Sequence, residues 1–348
     1  MKNNKIFYVW SSDFEEFTGE GVLARNFLTN IFKKYNGKVR IKSNNAEYIY
    51  FKKKIKIINN SIYKNNFVNK YLKIFIGIFY LRKHNLEGHK TLYINYLPLW
   101  NFLIFFLLPK KTYLGPITGG TYILDKNNLG GFIRKYLFPI FFYLSNLIIV
   151  NKIKLPIFST SMLSKYLTKS IAKRSHFNLN LICFSPQKQN NNKDIDYLFY
   201  YRIHSNKSND FLSNLVNKLV KDKNVIYVVG DKFPNKNVKN LGNLKRKVLL
   251  NYLSRTKFSL NSGENFYSLF ALDCISNQVY LFVDRKNYLK KNYFPKNSIC
   301  KISFNRFSQS YKKIKMIKEI KQHFFCDFYL LKEKKKNLLN SLKKIYSF

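Results

Sequence analysis

Two acidic side chains stand close together in a stretch whose pattern is typical of a strand, a polar turn and a helix. Glu264 opens the turn after the strand predicted at residues 258–261, and Asp273 lies in the apolar helical segment that follows. Because the turns at the carboxyl ends of parallel strands meet at one edge of the sheet, we expect both acids to face one crevice. A carboxylate only accepts hydrogen bonds, so this pair suits the hydroxyl groups of a sugar or a ribose.

A second candidate set is cationic. Arg202 follows the strand predicted at residues 196–201, and Lys207 comes five residues later. Fixed cations at a strand end stabilise the charge that develops on a leaving diphosphate, without a metal ion. In a chain this basic such a pair also arises by chance. Its place at the carboxyl end of the first strand after a predicted linker favours the functional interpretation.

Glycines mark several predicted turns. Gly230 and Gly242 each follow a predicted strand, where they allow close backbone approach or a positive φ. Gly19 and Gly21 open a predicted helix whose N-terminus would cradle a phosphate. A purely structural turn explains this last glycine pair nearly as well.

The order of these residues resembles the C-terminal half of the retaining glycosyltransferases of family 4, which have two Rossmann-like domains. In that family a turn of the form Ser-x-x-Glu-x-Phe-Gly-Leu holds the donor sugar, and a second Glu, eight residues after the first, binds the ribose. Residues 262–266 fit the turn, but Asp273 follows Glu264 by nine residues. Either the turn holds one extra residue, or Asn265 takes the sugar-binding place.

The resemblance implies a metal-independent, retaining transferase with Glu264, Arg202 and Lys207 at its catalytic centre. The nucleotide sugar is a substrate, so no resident cofactor and no metal are expected. The implied donor-binding residues are Gly19, Gly21, Arg202, Lys207, Gly230, Gly242, Glu264, Asn265, Phe266 and Asp273.

One further segment resembles a Gly-Pro-x-Gly-Gly-Gly motif of some envelope glycosyltransferases. It contains Gly115, Pro116, Gly119 and Gly120. The resemblance predicts a loop between the two domains, near the acceptor.

Alternating strand and helix patterns predict an α/β protein with two Rossmann-like domains whose parallel sheets face each other across a cleft. Strands are expected at residues 6–10, 91–96, 112–114, 147–150, 196–201 and 225–229, and helices at 21–34, 210–221 and 245–253. The polar stretch at 185–193 reads as a linker. The predicted domains are therefore 1–188 on the acceptor side and 189–325 for the nucleotide sugar, with a basic helix at 326–348 crossing back.

The charge balance points to a polyanionic partner. Sixty-two Lys and Arg residues against eighteen Asp and Glu give a net charge of +44, part of which we attribute to an AT-rich coding sequence. An anionic membrane surface and nucleic acid both fit such an excess. The basic residues are spread along the chain without a known nucleic-acid-binding module, so no specific nucleic acid is expected.

No apolar stretch approaches the roughly 20 residues that cross a bilayer. Residues 67–83 are apolar with cations at both ends, which fits either a helix lying on a membrane or a buried helix with a basic face. The four cysteines lie far apart and predict neither a zinc site nor disulfides, in keeping with a cytoplasmic protein.

The expected function is transfer of a sugar from a nucleotide-sugar donor to a bacterial cell-envelope glycan or lipid-linked acceptor, at the inner face of the plasma membrane. Two alternatives remain. The shifted acid spacing also fits a non-catalytic basic binding protein of the same fold, and the net charge fits a nucleic-acid-binding protein.

Overall fold

The computed structural model describes residues 6–15, 19–60, 67–118, 129–153, 155–188, 190, 192–203, 210–261, 265–287, 292–320 and 327–346. The chain divides into two compact units. Unit 1 comprises Met1–Ile182 and Asn337–Phe348, and unit 2 comprises Cys183–Lys336. Each unit contains one six-stranded sheet.

Unit 1 alternates strands with helices. Its elements are β1 (Phe7–Trp10), α1 (Gly19–Ile31), β2 (Val39–Lys42), β3 (Ala46–Phe51), β4 (Lys54–Asn60), α2 (Phe67–Leu86), β5 (Lys90–Pro98), α3 (Phe102–Leu107), β6 (Tyr113–Thr118), α4 (Leu129–Lys152) and α5 (Lys169–Arg174). The strand order is β4-β3-β2-β1-β5-β6. Strands β2, β1, β5 and β6 are parallel, whereas β3 and β4 are antiparallel to their neighbours.

One face of the unit 1 sheet is covered by α2, α3 and α4. Ile78 of α2, Phe105 of α3 and Phe142 of α4 belong to one buried cluster with Trp10 of β1. Gly77 brings α2 against the sheet, since a Cβ there would lie 2.3 Å from the Trp10 ring. These three helices thus form a single layer, with one side in the core.

The outer edge of the unit 1 sheet is a tight hairpin. β3 and β4 pair up to Phe51 and Lys54, which leaves only Lys52 and Lys53 in the turn. Both turn residues have a positive φ, of 47° and 66°. β4 is the end strand, and its Lys54 and Lys56 are exposed.

Unit 2 is a doubly wound parallel sheet. Its elements are β7 (Ile195–Tyr201), α6 (Asp210–Lys221), β8 (Ile226–Gly230), β9 (Lys239–Gly242), α7 (Arg246–Ser254), β10 (Thr256–Leu260), α8 (Leu269–Ser276), β11 (Tyr280–Asp284), β12 (Ile299–Ile302), α9 (Phe307–Ile320) and the first part of α10 (Tyr329–Tyr346). The order is β12-β11-β10-β7-β8-β9, and every pair is parallel. β11 is buried at all five positions, as expected for a strand covered on both faces.

The predicted fold class is confirmed, with local corrections. The strand expected at residues 147–150 is wrong, because this segment is the end of the 24-residue helix α4. Its buried and exposed positions recur every three or four residues, and four apolar residues in a row hid that period. The sheet of unit 1 is mostly parallel, as expected, and carries the antiparallel strands β3 and β4 at one edge.

No helix within the described part of the chain is long and apolar enough to cross a membrane.

Candidate functional site

The strand order of unit 2 creates a switch point at its two central strands. β7 and β10 are parallel neighbours, with Ile195 opposite Thr256. The chain leaves β7 toward β8 on one side of the sheet and leaves β10 toward β11 on the other. The connections diverge at the carboxyl ends of β7 and β10, which is where open α/β sheets bind ligands.

Arg202 lies at this edge, directly after β7, and its side chain is exposed. The following residue, Ile203, donates its backbone N–H to Oδ2 of Asp231 at 2.6 Å. Asp231 donates its own N–H to the Tyr201 carbonyl oxygen at 2.9 Å. These two bonds tie the end of β7 to the end of β8 and fix the backbone that carries Arg202.

The close approach of β8 to the end of β7 explains why residue 230 is a glycine. Its φ is +106°, and a Cβ would lie 2.2 Å from the Tyr201 carbonyl oxygen. A larger residue would push β8 away from the end of β7, so this glycine is required for the shape of the edge. Gly242 ends β9 with a φ of +65° and has no atom within 4 Å of a Cβ, so only its conformation favours glycine there.

The turn between β10 and α8 is held by a buried amide. Asn261 donates from Nδ2 to the Phe266 carbonyl at 3.0 Å, and its Oδ1 is 3.4 Å from the Ser268 hydroxyl. Ser268 caps α8 by accepting from the Ala271 N–H at 3.1 Å. Phe266 is buried, and its ring stacks on Phe294 with 5.0 Å between centroids. The flanks of the turn are therefore fixed on both sides of residues 262–264.

Asn265 takes part in this turn through its side chain. Its Oδ1 accepts the backbone N–H of Tyr267 at 3.1 Å, and its carbonyl accepts that of Ser268 at 3.1 Å. This gives Asn265 a role in shaping the turn. The choice between Asn265 and Glu264 as the sugar-binding residue stays a prediction.

Asp273 is buried on α8 and forms an ion pair that the sequence did not reveal. Arg246, the first residue of α7, places Nη2 at 2.5 Å from Oδ1 and Nε at 3.2 Å from Oδ2. Burial raises the pKa of Asp273, while the adjacent guanidinium acts in the opposite direction. Both carboxylate oxygens accept from Arg246, so a ribose hydroxyl would have to share them.

Further groups surround this pair. Arg246 Nη2 lies 3.4 Å from the Cys183 carbonyl, and Lys335 of α10 donates to the Phe184 carbonyl at 2.7 Å. Burial lowers the pKa of Lys335 and raises that of the Cys183 thiol to about 12. This cluster consists of fixed cations and backbone acceptors, which is typical of a structural anchor.

Several predicted site residues lie outside the described residues. They are Lys207, Glu264, Gly119 and Gly120. Lys207 belongs to the segment that follows β7, and Glu264 to the segment that follows β10.

In unit 1, the predicted helix start is present. α1 begins at Gly19, which has a φ of +51°, and Gly21 is buried in its first turn. Glu20 also lies in that first turn. A carboxylate there competes with a phosphate for the positive end of the helix.

Gly115 and Pro116 are not in a loop, contrary to the expectation. They lie inside β6, where both are buried, and a Cβ on Gly115 would meet Ile157 at 3.4 Å. An isolated parallel bridge from Ile117 to Phe158 continues the pairing beyond β6. The apolar residues around Pro116 make a strand that is covered on both faces.

Unit 1 also carries an acid that the sequence reading missed. Glu15 follows β1, and Tyr48 of β3 donates a hydrogen bond to its carboxylate. Burial raises the pKa of Glu15, and its Oε1 has no hydrogen-bond partner among the described residues. Burial and this neighbouring negative charge together raise the pKa of Tyr48 to about 12. Nothing local in the sequence marks Glu15, because its partner is a hairpin residue.

No family model and no curated protein matches the sequence. Solved structures do match it. Sucrose-phosphate synthase from Thermosynechococcus elongatus is 11% identical with a TM-score of 0.62, over 97% of this chain and 94% of that one. The UDP-GlcNAc 2-epimerase of Methanocaldococcus jannaschii, in complex with UDP-GlcNAc and UDP, is 10% identical with a TM-score of 0.52, over 97% and 99%.

A third similar structure is WaaG, a glycosyltransferase involved in lipopolysaccharide biosynthesis. It is 10% identical with a TM-score of 0.51, over 97% of this chain and 95% of that one. The chain has a GT-B fold. In the GT-B fold each unit is Rossmann-like, which agrees with the two sheets and with the doubly wound strand order of unit 2.

Proposed function

We propose that this GT-B protein is a glycosyltransferase that uses a nucleotide-sugar donor. The observation that carries the proposal is the switch point of unit 2. There Arg202 leaves β7, and the turn framed by Asn261 and Asn265 leaves β10, at the same edge of the sheet. The similar folds of sucrose-phosphate synthase and WaaG support a transferase over a binding protein without chemistry.

In this proposal the donor diphosphate lies at the end of β7. Arg202 supplies a guanidinium from a backbone held by Asp231, and Lys207 supplies a second cation. Cations fixed before the reaction stabilise the diphosphate as it takes up charge on leaving, with no metal required. Glu264 or Asn265 meets the donor sugar, and Asp273 meets the ribose beside Arg246.

Within the glycosyltransferases, we propose that the protein is a retaining enzyme of the family 4 type. This assignment rests on the order Arg202, Gly230, Gly242, then the turn and Asp273, which is the order of that family's donor-binding segments. The acceptor we propose is a cell-envelope glycan or a lipid-linked sugar, reached by peripheral attachment to the inner face of the plasma membrane. WaaG, with its role in lipopolysaccharide biosynthesis, is the likeness that supports this acceptor class.

A second candidate is epimerisation of the donor sugar. It is favoured by the likeness to the UDP-GlcNAc 2-epimerase, whose TM-score of 0.52 matches that of WaaG at 0.51. Incubation with UDP-GlcNAc and no acceptor separates the two activities. An epimerase inverts the sugar at C2 and leaves the nucleotide attached, whereas a transferase without its acceptor leaves C2 unchanged and releases UDP only by slow hydrolysis, with water taking the sugar.

The proposal predicts the effect of Arg202→Ala. We expect a loss of roughly 2 to 4 kcal/mol in transition-state stabilisation, or about 30- to 1000-fold in donor turnover, with the fold intact. The measurement is nucleoside diphosphate release from a panel of UDP-, GDP- and ADP-sugars, after thermal shifts with UDP, GDP and ADP have identified the base.

Arg306→Ala is the matched control, because Arg306 is an exposed arginine that follows the edge strand β12, away from the switch point. It should keep wild-type turnover. Equal turnover in the wild type and in Arg202→Ala would remove Arg202 from the site, and no thermal shift with any nucleotide would remove the donor itself.

A further inference from the structure

The outer side of the α2, α3 and α4 layer is apolar and exposed. On α4 six exposed side chains form one stripe at steps of three or four residues, namely Phe132, Tyr136, Ile140, Tyr143, Leu147 and Val150. They are between 38% and 63% exposed. The opposite side of the same helix carries the buried Phe138, Phe142 and Ile149. α4 is thus apolar on both sides, although only one of them is in the core.

The stripe continues onto the two neighbouring helices. Phe79 of α2 is 66% exposed, and Phe106 of α3 is 61% exposed. Arg82 of α2 donates from Nε to the Leu107 carbonyl of α3 at 2.7 Å, and Lys152 of α4 donates to the Phe106 carbonyl. These contacts join the three helices at one end, so their exposed side chains belong to one surface, which we call the outer helical face.

The charges on this face are of one sign. α2 and α4 contain Lys and Arg, α3 is uncharged, and none of the three helices contains Asp or Glu. Arg82, Lys83 and Lys135 are exposed, and Lys110 and Lys111 follow α3. The Lys152 ammonium lies 5.4 Å from the centroid of the Phe106 ring, at the border of the apolar surface.

Among the described residues this apolar surface is bordered mainly by cations, and the one acid directly after α2, the exposed Glu87, is paired with His84. A surface of this kind fits one kind of partner. A bilayer offers acyl chains to the aromatic and aliphatic groups, and its anionic headgroups attract cations within a Debye length. A second copy of the chain fits poorly, because the lysines and arginines of both copies would meet, and α2, α3 and α4 contain no acid to pair with them. Nucleic acid would leave the apolar side chains in water.

We propose that the outer helical face inserts into an anionic lipid leaflet, with the α4 stripe below the headgroups and the lysines and arginines among them. This inference deepens the peripheral attachment in the proposed function and rests on it only for the acceptor. It replaces attraction by net charge alone with a defined insertion surface. For residues 67–83 it favours the helix lying on a membrane, since α2 is buried at Ile78 and has exposed apolar side chains at Phe75, Ile76 and Phe79.

The test uses the full chain with vesicles of phosphatidylcholine alone, or with phosphatidylglycerol added. We expect flotation with the anionic vesicles only, and partial retention when salt rises from about 0.1 M to about 1 M, where the Debye length falls from about 10 Å to about 3 Å. The triple variant Ile140→Ser, Tyr143→Ser, Leu147→Ser should bind the anionic vesicles with an affinity at least roughly ten-fold below that of the wild type. The control variant Met316→Ser, Tyr329→Ser, Leu330→Ser changes exposed apolar residues of unit 2 and should bind like the wild type.

Insertion is read out separately with lipids brominated on the acyl chain. Tyr143→Trp and Tyr329→Trp are matched, because the two tyrosines are 63% and 65% exposed. Only Tyr143→Trp should gain quenching over the wild type. Equal quenching in both, or wild-type flotation of the triple variant, would overturn the proposal. A wild-type dimer that the triple variant abolishes would overturn it in favour of self-association.

Nucleotide thermal shifts of the triple variant keep this proposal distinct from the proposed function. If the triple variant keeps its nucleotide thermal shift and no longer floats with the vesicles, the substituted residues act in membrane insertion and not in nucleotide binding. If the wild type floats with the vesicles but shows no thermal shift with any nucleotide, the proposed donor site is wrong and the insertion of the outer helical face is still supported.

Discussion

At the scale of single residues, the carboxylate of Asp273 has two possible roles, because it pairs with Arg246 and is also predicted to bind the ribose. Asp273→Asn would leave Arg246 without its counter-ion, and we expect a loss of about 3 kcal/mol in unfolding free energy. If Asp273 also holds the ribose, the variant should bind the nucleotide more weakly than Arg246→Met, which keeps the carboxylate. Chemical denaturation and titration calorimetry measure the two effects. Equal loss of nucleotide affinity in both variants would mean that Asp273 acts only through the fold.

Glu15 gives a pH-dependent prediction. Its pKa in the folded chain is raised above the ordinary value of 4.5 by burial. The stability that the protonated group contributes is therefore complete below that value and is lost as the pH rises through the folded pKa. Glu15→Gln should raise the Tm at pH 7 and leave it nearly unchanged at about pH 4.

A second acid supplies the control for Glu15, because its shift has the opposite sign. The His84 hydrogen bond lowers the pKa of the exposed Glu87. The charged group thus adds stability above its unfolded pKa, and Glu87→Gln should lower the Tm at pH 7, opposite in sign to Glu15→Gln. A Tm gain for Glu15→Gln that persists unchanged at low pH would show that packing, and not charge, is the cause.

At the scale of elements, the β3–β4 hairpin contains a local conflict. A two-residue turn with positive φ at both positions is normally made from Asn and Gly, yet Lys52 and Lys53 make it here. Lys53→Gly should add about 0.5 to 1 kcal/mol of stability, as relief of the left-handed conformation exceeds the entropy that glycine loses. Lys56→Gly, in the strand that follows, should cost about the same amount. Urea denaturation of both variants checks the sign of each change.

The elements of unit 2 were easier to predict than those of unit 1, for a physical reason. β7, β8 and β11 are short apolar runs between polar turns, as strands covered on both faces must be. β2 and β4 mix Ile with Lys, Arg or Asn, and β3 is rich in Tyr, Ile and Phe. These residue types are common throughout the chain, so the alternation in these strands did not stand out. The short β12 and the basic helix α9 were missed for the same reason.

The residues of the candidate site likewise divide into those that the sequence predicts and those that it does not. Arg202, Gly230 and the turn near Asn265 were predictable, because each follows a strand and the carboxyl ends of parallel strands meet. Arg246 was not predictable, since its partner Asp273 lies 27 residues away and only the packing of α7 beside α8 joins them. Long-range pairs of this kind leave no local pattern.

At the scale of the whole molecule, several of the described acids are engaged in ion pairs. Asp194 pairs with Arg255, Asp196 with Lys257, and Asp273 with Arg246. Each of these pairs lies within unit 2. With the few carboxylates engaged at these places, the net charge of +44 is carried by lysines and arginines elsewhere on the surface. Screening by salt should therefore change how the whole chain associates with anions more than it changes its fold.

The exposed lysines of β4 have a consequence for solubility. The last strand of a sheet presents unpaired backbone groups to any other strand, and in β4 the exposed Ile57 and Ile58 would favour such pairing. A second copy that added its own β4 would bring Lys54 and Lys56 of both chains into one ladder, where like charges oppose each other. The hairpin thus protects the protein against edge-to-edge aggregation, and the protection weakens wherever polyanions or high salt neutralise those lysines.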